Sequence, residues 1–204
     1  MRISCLHTDA EDISYYEAVT PNGVTLTHFL RPDIRLRAGS PSDSEGLAAE
    51  VGAQLYKMRE GADAVLAAST MLAPHAAPPA RSADALLAEV IAQRGTRRRV
   101  EVFHSNPLTA SAVTRIYGAI PGTAGMTVTI LPDAWEAFVR GDRAGHAHLL
   151  RDAIDRSQAD LIALVHPAMT PAADLGPRVL SAAHVALRQL AQTGAGARQH
   201  QSVA

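Results

Sequence analysis

The strongest constraint on the fold is a regular alternation of short, uninterrupted apolar runs with longer segments of helical periodicity. Residues 160–166 (DLIALVH) contain an unbroken apolar run, and residues 62–70 (ADAVLAAST) have the same character. Apolar runs of this length, each followed by a turn and a helical pattern, are typical of strands buried on both faces of a parallel sheet. The alternation therefore predicts an α/β fold with helices covering both faces of its sheets.

The same reasoning places the other elements. Further strands are predicted at residues 2–7, 23–30, 99–105 and 125–132. Helices are predicted from Ser42 or Asp43 to about Arg59, over 84–94 with Ser82 as cap, over 107–117, over 133–157 with a break near Gly141 or Gly145, and before residue 193.

The two halves of the chain look alike. The segments ADAVLAAST and DLIALVHPAMTP are separated by about 97 residues, close to half of the 204-residue chain. We therefore predict two similar Rossmann-like lobes with parallel sheets, related by a pseudo-twofold axis, with a cleft between them. Residues 1–95 and about 178–195 are assigned to the first lobe and 96–177 to the second, and 196–204 are predicted to be a flexible tail.

Composition argues against several classes of function. The net charge is −1 and the pI is near 6.8, so neither nucleic acid nor an anionic membrane is expected as a partner. No run approaches the roughly 18 apolar residues that a membrane span needs, and the first residues lack the apolar segment of a signal peptide. The single cysteine, Cys5, excludes an intramolecular disulfide, so a cytoplasmic location is predicted.

Ligands of parallel α/β sheets bind beyond the carboxyl ends of the strands, so polar residues at predicted strand ends are the candidate site. These are His7-Thr8, Ser69-Thr70, Ser105-Asn106 and His166. Ser105 and Asn106 precede a predicted helix N-terminus, where backbone N–H groups favour an anion. His166 is the leading candidate, because imidazole is a base near neutral pH. The alternative is a histidine that only hydrogen-bonds a loop carbonyl.

Other polar and aromatic residues have plainer interpretations. His146 and His148 stand two apart in a predicted helix and cannot share a face, which argues against a metal pair. Trp135 with Phe138 is interpreted as core, and Cys5 as a buried apolar residue of the first strand. No Gly-rich phosphate loop or metal-ligand signature is present, so no metal site is predicted.

The order and spacing of several phrases resemble the aspartate/glutamate racemase superfamily, in particular its bacterial members. The resemblance covers most of the chain and is carried by LHT, GADAVLAAST, VEVFHSNPLT, AFVRGDRAGHAHLLRDAI, DLIALVHPAM and VLSAAHVAL. It implies an enzyme without a cofactor, built from two α/β lobes with a small carboxylate ligand between them. It also implies a homodimer.

Racemases of that family use two cysteine thiols on opposite sides of the substrate. The resemblance aligns the two thiol positions with Ser69 and His166, so both thiols are absent from this chain. A serine hydroxyl is a poor base without an activating group, whereas imidazole is a good one near pH 7. One-base chemistry such as decarboxylation, isomerisation or elimination is therefore expected rather than two-thiol racemisation.

Two functions follow. The first is a cofactor-independent isomerase, racemase or decarboxylase for a small carboxylate, with His166 as acid or base and Ser69 as the second catalytic residue. The second is a protein that binds or senses a small carboxylate and has lost the thiol chemistry. The residues expected to hold the carboxylate are His7, Thr8, Thr70, Ser105, Asn106, Thr109 and Ser181.

The alternation of side chains across a strand makes one geometric prediction. Ser69 and His166 are expected to point into the cleft, within roughly 6–10 Å of each other. Val165 is expected to be buried against a helix. Hinges between the lobes are expected near Gly95 and near Gly176-Pro177.

Overall fold

The computed structural model describes residues 1–37, 44–118 and 120–201. The chain forms two compact units: unit 1 comprises Met1–Leu86 and Ala183–Ala204, and unit 2 comprises Leu87–Ala182. Each unit contains a four-stranded sheet, and all six strand pairings are parallel. The predicted α/β class with two similar parallel sheets is confirmed.

Unit 1 is built around a sheet with the strand order β2-β1-β3-β4. Its strands are β1 (Arg2–His7), β2 (Thr25–Leu30), β3 (Ala64–Ala67) and β4 (Arg81–Ser82). The helices that accompany them are α1 (Glu11–Glu17), α2 (Pro32–Arg37), α3 (Ser44–Lys57) and α4 (Ala83–Arg94), and the boundary between the units falls inside α4.

The alternation of β1 divides its side chains between two faces of the sheet. Leu6 lies in the apolar core with Val51 and Leu55 of α3. Cys5 and His7 point the other way, and the ring of Tyr16 in α1 meets the ring of His7 edge-on at 5.3 Å. The two faces of this strand therefore differ: Leu6 packs into the apolar core on one face, and a thiol and an imidazole lie on the other.

Unit 2 repeats the pattern with the strand order β6-β5-β7-β8. Its strands are β5 (Arg99–His104), β6 (Gly125–Ile130), β7 (Leu161–Leu164) and β8 (Val179–Ser181). Its helices are α5 (Ala110–Tyr117), α6 (Pro132–Val139) and α7 (Arg143–Arg156). Helix α8 (Ala182–Gln201) follows β8 and, after its first residue, belongs to unit 1. Phe103, Leu150, Ile162 and Met169 are among the residues of its core.

The predicted elements are largely confirmed, with local corrections. The helix predicted over 133–157 breaks at Gly141, which has φ +76° and lies in the short link between α6 and α7. The strand predicted over 62–70 is shorter, because its ladder ends at Ala67 and a 3-10 helix occupies Thr70–His75. The helix predicted over 107–117 begins as a 3-10 turn, Pro107–Thr109.

Helix ends agree in part with the sequence. Ser82 caps α4 as predicted, because its Oγ accepts the backbone N–H of Ala85 at 3.0 Å. The predicted caps of α3, Ser42 and Asp43, lie outside the described residues. Helix α8 continues to Gln201 through most of the predicted tail, and 202–204 lie outside the described residues. Among the described helices, none is long and apolar enough to cross a membrane.

Candidate functional site

In unit 1 the ends of β1 and β3 are joined through Ser69. The backbone N–H of Thr8 donates to Ser69 Oγ at 3.0 Å, and Ser69 Oγ donates to Asp12 Oδ2 at 3.2 Å. All three residues are buried. The Ser69 hydroxyl is therefore held in a defined direction beside a buried carboxyl group.

Asp12 is a functional candidate that the sequence reasoning missed. Burial, reinforced by the nearby charge of Asp9, raises its pKa to about 7, although the hydrogen bond from Ser69 lowers it. Helix α1 fixes its position, because Asp12 and Tyr16 share a helix face and the Tyr16 hydroxyl donates to Ala68 O at 2.7 Å. The signal in the sequence was this pair of residues four apart, just after the first strand.

The second hydroxyl at this strand end also meets an acid. Thr70 Oγ1 donates to Asp84 Oδ1 at 3.4 Å, and Asp84 in the first turn of α4 is buried. Two buried carboxyl groups thus lie behind the two hydroxyls at positions 69 and 70, which leaves this end of the sheet acidic.

His7 is fully buried, and its ring meets the ring of Tyr16 edge-on. Its Nε2 is 2.8 Å from His28 Nδ1, and His28 Nε2 is 2.8 Å from Glu17 Oε1. Its Nδ1 has no hydrogen-bond partner in the described part of the chain. Burial, with a further contribution from His28, lowers the pKa of His7 to about 3, so the ring is neutral.

Cys5 adjoins these two histidines. It is fully buried as predicted, and burial raises the pKa of its thiol to about 12. One ligand atom from each of Cys5, His7 and His28 lies within 4.8 Å of the others. The sequence predicted no metal site, yet β1 and β2 bring a thiol and two imidazoles together.

In unit 2 His166 follows the end of β7 and is partly exposed. Its Nδ1 lies 3.3 Å from Ser105 Oγ, and its ring meets those of Trp135 and Phe138 edge-on at 5.4 and 5.2 Å. At the N-cap of the 3-10 helix Pro167–Leu175 its side chain makes no capping hydrogen bond. Its imidazole is therefore positioned by a hydroxyl and two aromatic rings.

The aromatic pair in α6 was interpreted as core, and this holds only for one ring. Phe138 is buried, whereas Trp135 is partly exposed, and the two rings stack at 5.7 Å. The guanidinium carbon of Arg143 lies 4.2 Å from the centroid of the Phe138 ring, and the ring centroids of Phe138 and His146 are 5.6 Å apart. The pair therefore forms a wall beside His166 as well as part of the core.

The remaining predicted ligands of unit 2 are buried, and two of them support a turn. Asn106 Oδ1 accepts the backbone N–H of Leu108 at 3.0 Å, and Thr109 Oγ1 donates to Asn106 O at 2.8 Å. Ser181 is the last residue of β8. Next to Ser105, His104 is buried and burial lowers its pKa.

One cavity lies away from these residues. It has a volume of about 580 Å³, belongs to unit 1, and is lined by Tyr56, Arg59, Asp63 and Pro79 among others. Asp63 and Ala64 lie at the amino end of β3, opposite to the end that carries Ser69. None of the predicted site residues lines this cavity.

Within each unit the structure thus assembles part of the predicted site. It brings Thr8 to Ser69 in unit 1 and Ser105 to His166 in unit 2. Val165 is buried, as expected. The predicted distance between Ser69 and His166 and the predicted hinges stay predictions.

No protein-family model matches the sequence, and no curated protein matches it. Solved structures do match. The aspartate racemase of Picrophilus torridus is 13% identical with a TM-score of 0.66, over 95% of this chain and 94% of that one. The allantoin racemase of Klebsiella pneumoniae is 18% identical with a TM-score of 0.61, over 96% and 88%.

An arylmalonate decarboxylase is also similar, at 14% identity and a TM-score of 0.60, over 96% of this chain and 93% of that one. At such identities the similarity concerns the fold. The chain has the α/β fold that these racemase-family proteins share, as its sequence phrases predicted.

Proposed function

We propose that this chain acts on a small carboxylate by one-base chemistry and that His166 is the acid/base residue. The observation that carries the proposal is the setting of His166. Its imidazole follows a strand end, is partly exposed, and is oriented by Ser105 Oγ and by the rings of Trp135 and Phe138. A positioned imidazole of this kind is the commonest general acid or base in proteins.

The chemistry requires only one proton-transfer group. For isomerisation, the imidazole takes the proton on the carbon next to the carboxylate and returns a proton to the resulting carbanion. For decarboxylation, CO₂ leaves with its bonding electrons left on carbon, and the imidazolium protonates that carbon. The fold is shared with racemases and with a decarboxylase, which supports both versions.

We assign the ligand-holding role first to the hydroxyls at the strand ends. Ser105 contacts His166, and Thr8 and Thr70 lie beside Ser69 in unit 1. Asn106, Thr109 and Ser181 are buried, and the first two stabilise the turn that carries Ser105. Ser69 donates to Asp12, whose pKa of about 7 makes that carboxyl group a proton acceptor near neutral pH.

The test is a panel of aspartate, glutamate, arylmalonates and maleate, with optical rotation and substrate loss recorded for the parent protein and for His166→Ala. We expect turnover of one compound class and its loss in the variant. Racemisation of an amino acid that survives His166→Ala would contradict the assignment. A double-mutant cycle of Ser69→Ala and His166→Ala on the same substrate tests whether Ser69 acts on that ligand, because the effects of two residues that act together are not additive.

A second candidate function is a non-catalytic carboxylate-binding or regulatory protein. It is favoured by the Ser69 hydroxyl, which stands where the resemblance expects a thiol and is tied to Asp12 and Thr8. A thermal-shift screen with the same carboxylates separates the two functions, because a ligand that binds only the folded state raises its stability. Stabilisation by a few degrees without turnover would favour the binding protein.

A further inference from the structure

The cluster of Cys5, His7 and His28 follows directly from strand geometry. Cys5 and His7 are two apart in β1 and so lie on the same face of the sheet. The parallel register of β1 and β2 pairs Cys5 with His28, which places the second imidazole beside the thiol. One ligand atom from each residue lies within 4.8 Å of the other two.

The two imidazoles are oriented as metal ligands are. Glu17 Oε1 lies 2.8 Å from His28 Nε2, and this carboxylate favours the tautomer in which Nε2 carries the proton. His28 Nδ1 then has a lone pair, and it faces His7 Nε2 at 2.8 Å. A carboxylate behind a histidine is the usual outer partner of a metal-binding imidazole.

A second observation concerns the far side of His7. Its Nδ1 is buried and has no hydrogen-bond partner in the described part of the chain. When His7 Nε2 becomes a ligand, the ring proton moves to this nitrogen. The only proton released is then the one on the Cys5 thiol, which must leave for the sulfur to bind a metal ion.

We propose that unit 1 binds one Zn²⁺ ion through Cys5 Sγ, His7 Nε2 and His28 Nδ1, with Glu17 orienting His28. A thiolate with two imidazoles suits Zn²⁺ in charge and softness. Three protein ligands leave the fourth tetrahedral position for water or another small ligand. The ion enters past the edge strand β2, where the side chain of His28 is 13% exposed and that of its partner Glu17, at the end of α1, is 54% exposed.

Unit 2 provides a matched control within the same chain. His104 ends β5 as His7 ends β1, but the residues at the other two positions are Val102 and Val128, which are paired in the parallel register. This strand pair has the same backbone arrangement and no thiol. His104→Gln is therefore a substitution of a buried strand-end histidine that should leave Zn²⁺ binding unchanged.

The experiment uses the full chain, reduced with a phosphine and freed of metal by a chelator that is then removed. Co²⁺ is added in steps, and the near-ultraviolet charge-transfer band of a cobalt–thiolate bond is recorded, followed by displacement with Zn²⁺. Because Cys5 is the only cysteine of the chain, this band reports on Cys5 alone. The titration is repeated on Cys5→Ser, His28→Gln, Glu17→Gln and His104→Gln, each checked for folding by circular dichroism.

We expect the band to saturate at one equivalent of Co²⁺ and to vanish when Zn²⁺ is added. It should be absent in Cys5→Ser, lost or much weaker in His28→Gln, and unchanged in His104→Gln. Glu17→Gln should weaken binding about 10- to 100-fold, because it removes only the outer partner. Absence of the band in the folded parent protein, or a band unchanged in folded His28→Gln, would overturn the proposal.

Discussion

The two units have nearly the same backbone at their strand ends but very different side chains there. The positions compared are Ser69 in unit 1 and His166 in unit 2. In each unit the residue before the compared position donates its backbone N–H to the neighbouring strand: Ala68 to Leu6 O at 2.9 Å, and Val165 to Phe103 O at 3.1 Å. In both units a 3-10 turn follows, and a backbone N–H of that turn donates to the carbonyl of Ser69 or of His166 at 2.9 Å. The carbonyls of His7 and His104 accept equivalent bonds of 2.8 Å.

On this shared backbone, unit 1 places a hydroxyl next to a buried carboxyl group, and unit 2 places an imidazole in contact with two aromatic rings. Ser69 donates to the buried carboxyl group of Asp12, whereas His166 contacts Ser105, Trp135 and Phe138. The shared fold therefore determines where the two side chains lie, and the residue types determine the chemistry that each position offers.

The largest expected effect is an asymmetry in catalysis between the two units. With a substrate found in the panel, His166→Ala should lower kcat by about 10²- to 10⁴-fold, the usual contribution of a general acid or base. Ser69→Ala should lower it by no more than about tenfold, because it removes the hydrogen bonds of one hydroxyl and no proton-transfer group. Steady-state kinetics measure both, with His148→Ala as control. Equal losses in the two variants would contradict the proposed division of roles.

A second effect concerns stability and is confined to unit 1. The pKa of Asp12 rises from 3.8 to about 7 on folding, so between these values the folded state holds more protons than the unfolded state. The free energy of unfolding therefore falls as pH rises through this window. Asp12→Asn removes the penalty and should stabilise the protein little near pH 4 and by up to about 4 kcal/mol at pH 8.

Urea unfolding at several pH values measures this difference. The matched control is Thr109→Val in unit 2, which removes the 2.8 Å hydrogen bond to Asn106 O without changing a charge. Its effect should be a destabilisation that does not depend on pH. If the change in the free energy of unfolding caused by Asp12→Asn is also independent of pH, the buried carboxyl group of unit 1 does not make its stability depend on pH.

The smallest effect separates structural from functional histidines in unit 2. His146 is buried against Phe138, and its Nε2 has no hydrogen-bond partner among the described residues. His146→Phe should stabilise the protein by about 1 kcal/mol, since an unsatisfied buried polar atom is removed. Burial lowers the pKa of His146, so the gain should grow as pH falls below 6.5.

His148 is the control for that substitution, because its side chain is 72% exposed on the same helix. His148→Phe should change the free energy of unfolding by less than about 0.5 kcal/mol. Thermal or urea unfolding of both variants gives the comparison. A destabilised His146→Phe would mean that the imidazole has a packing role that a larger ring cannot replace.

Much of the fold was predictable because buried parallel strands leave a strong signal. The strand predicted at residues 2–7 coincides with β1. The helix break at Gly141 was predictable because glycine readily adopts the positive φ found there. The ends of β3 and β7 were less accurate, because the chain stays extended beyond its last ladder bond: Ser69 has φ −101° and ψ 139°. Helix α1 was missed, because only seven residues form it.

The site was predictable where it depends on position along one strand, and not where it depends on pairing. His166 and Ser105 stand at strand ends, and their contact follows from adjacent parallel strands. The acid beside Ser69 comes from a helix 57 residues earlier in the chain, and His28 reaches Cys5 only through the register of β1 and β2. Neither register nor helix placement can be read from local sequence alone.

The backbone at positions 69 and 166 has a consequence for how such a protein can change. Both residues adopt ordinary extended conformations, and neither side chain caps the turn that follows, so the backbone there does not require a particular side chain. At these two positions a different reactive side chain can therefore be introduced without a change in the backbone conformation of the loop. A library with small side chains at the buried position 69 and a full set at the partly exposed position 166 should therefore yield mostly folded proteins, in which differences in activity can be attributed to the side chain itself.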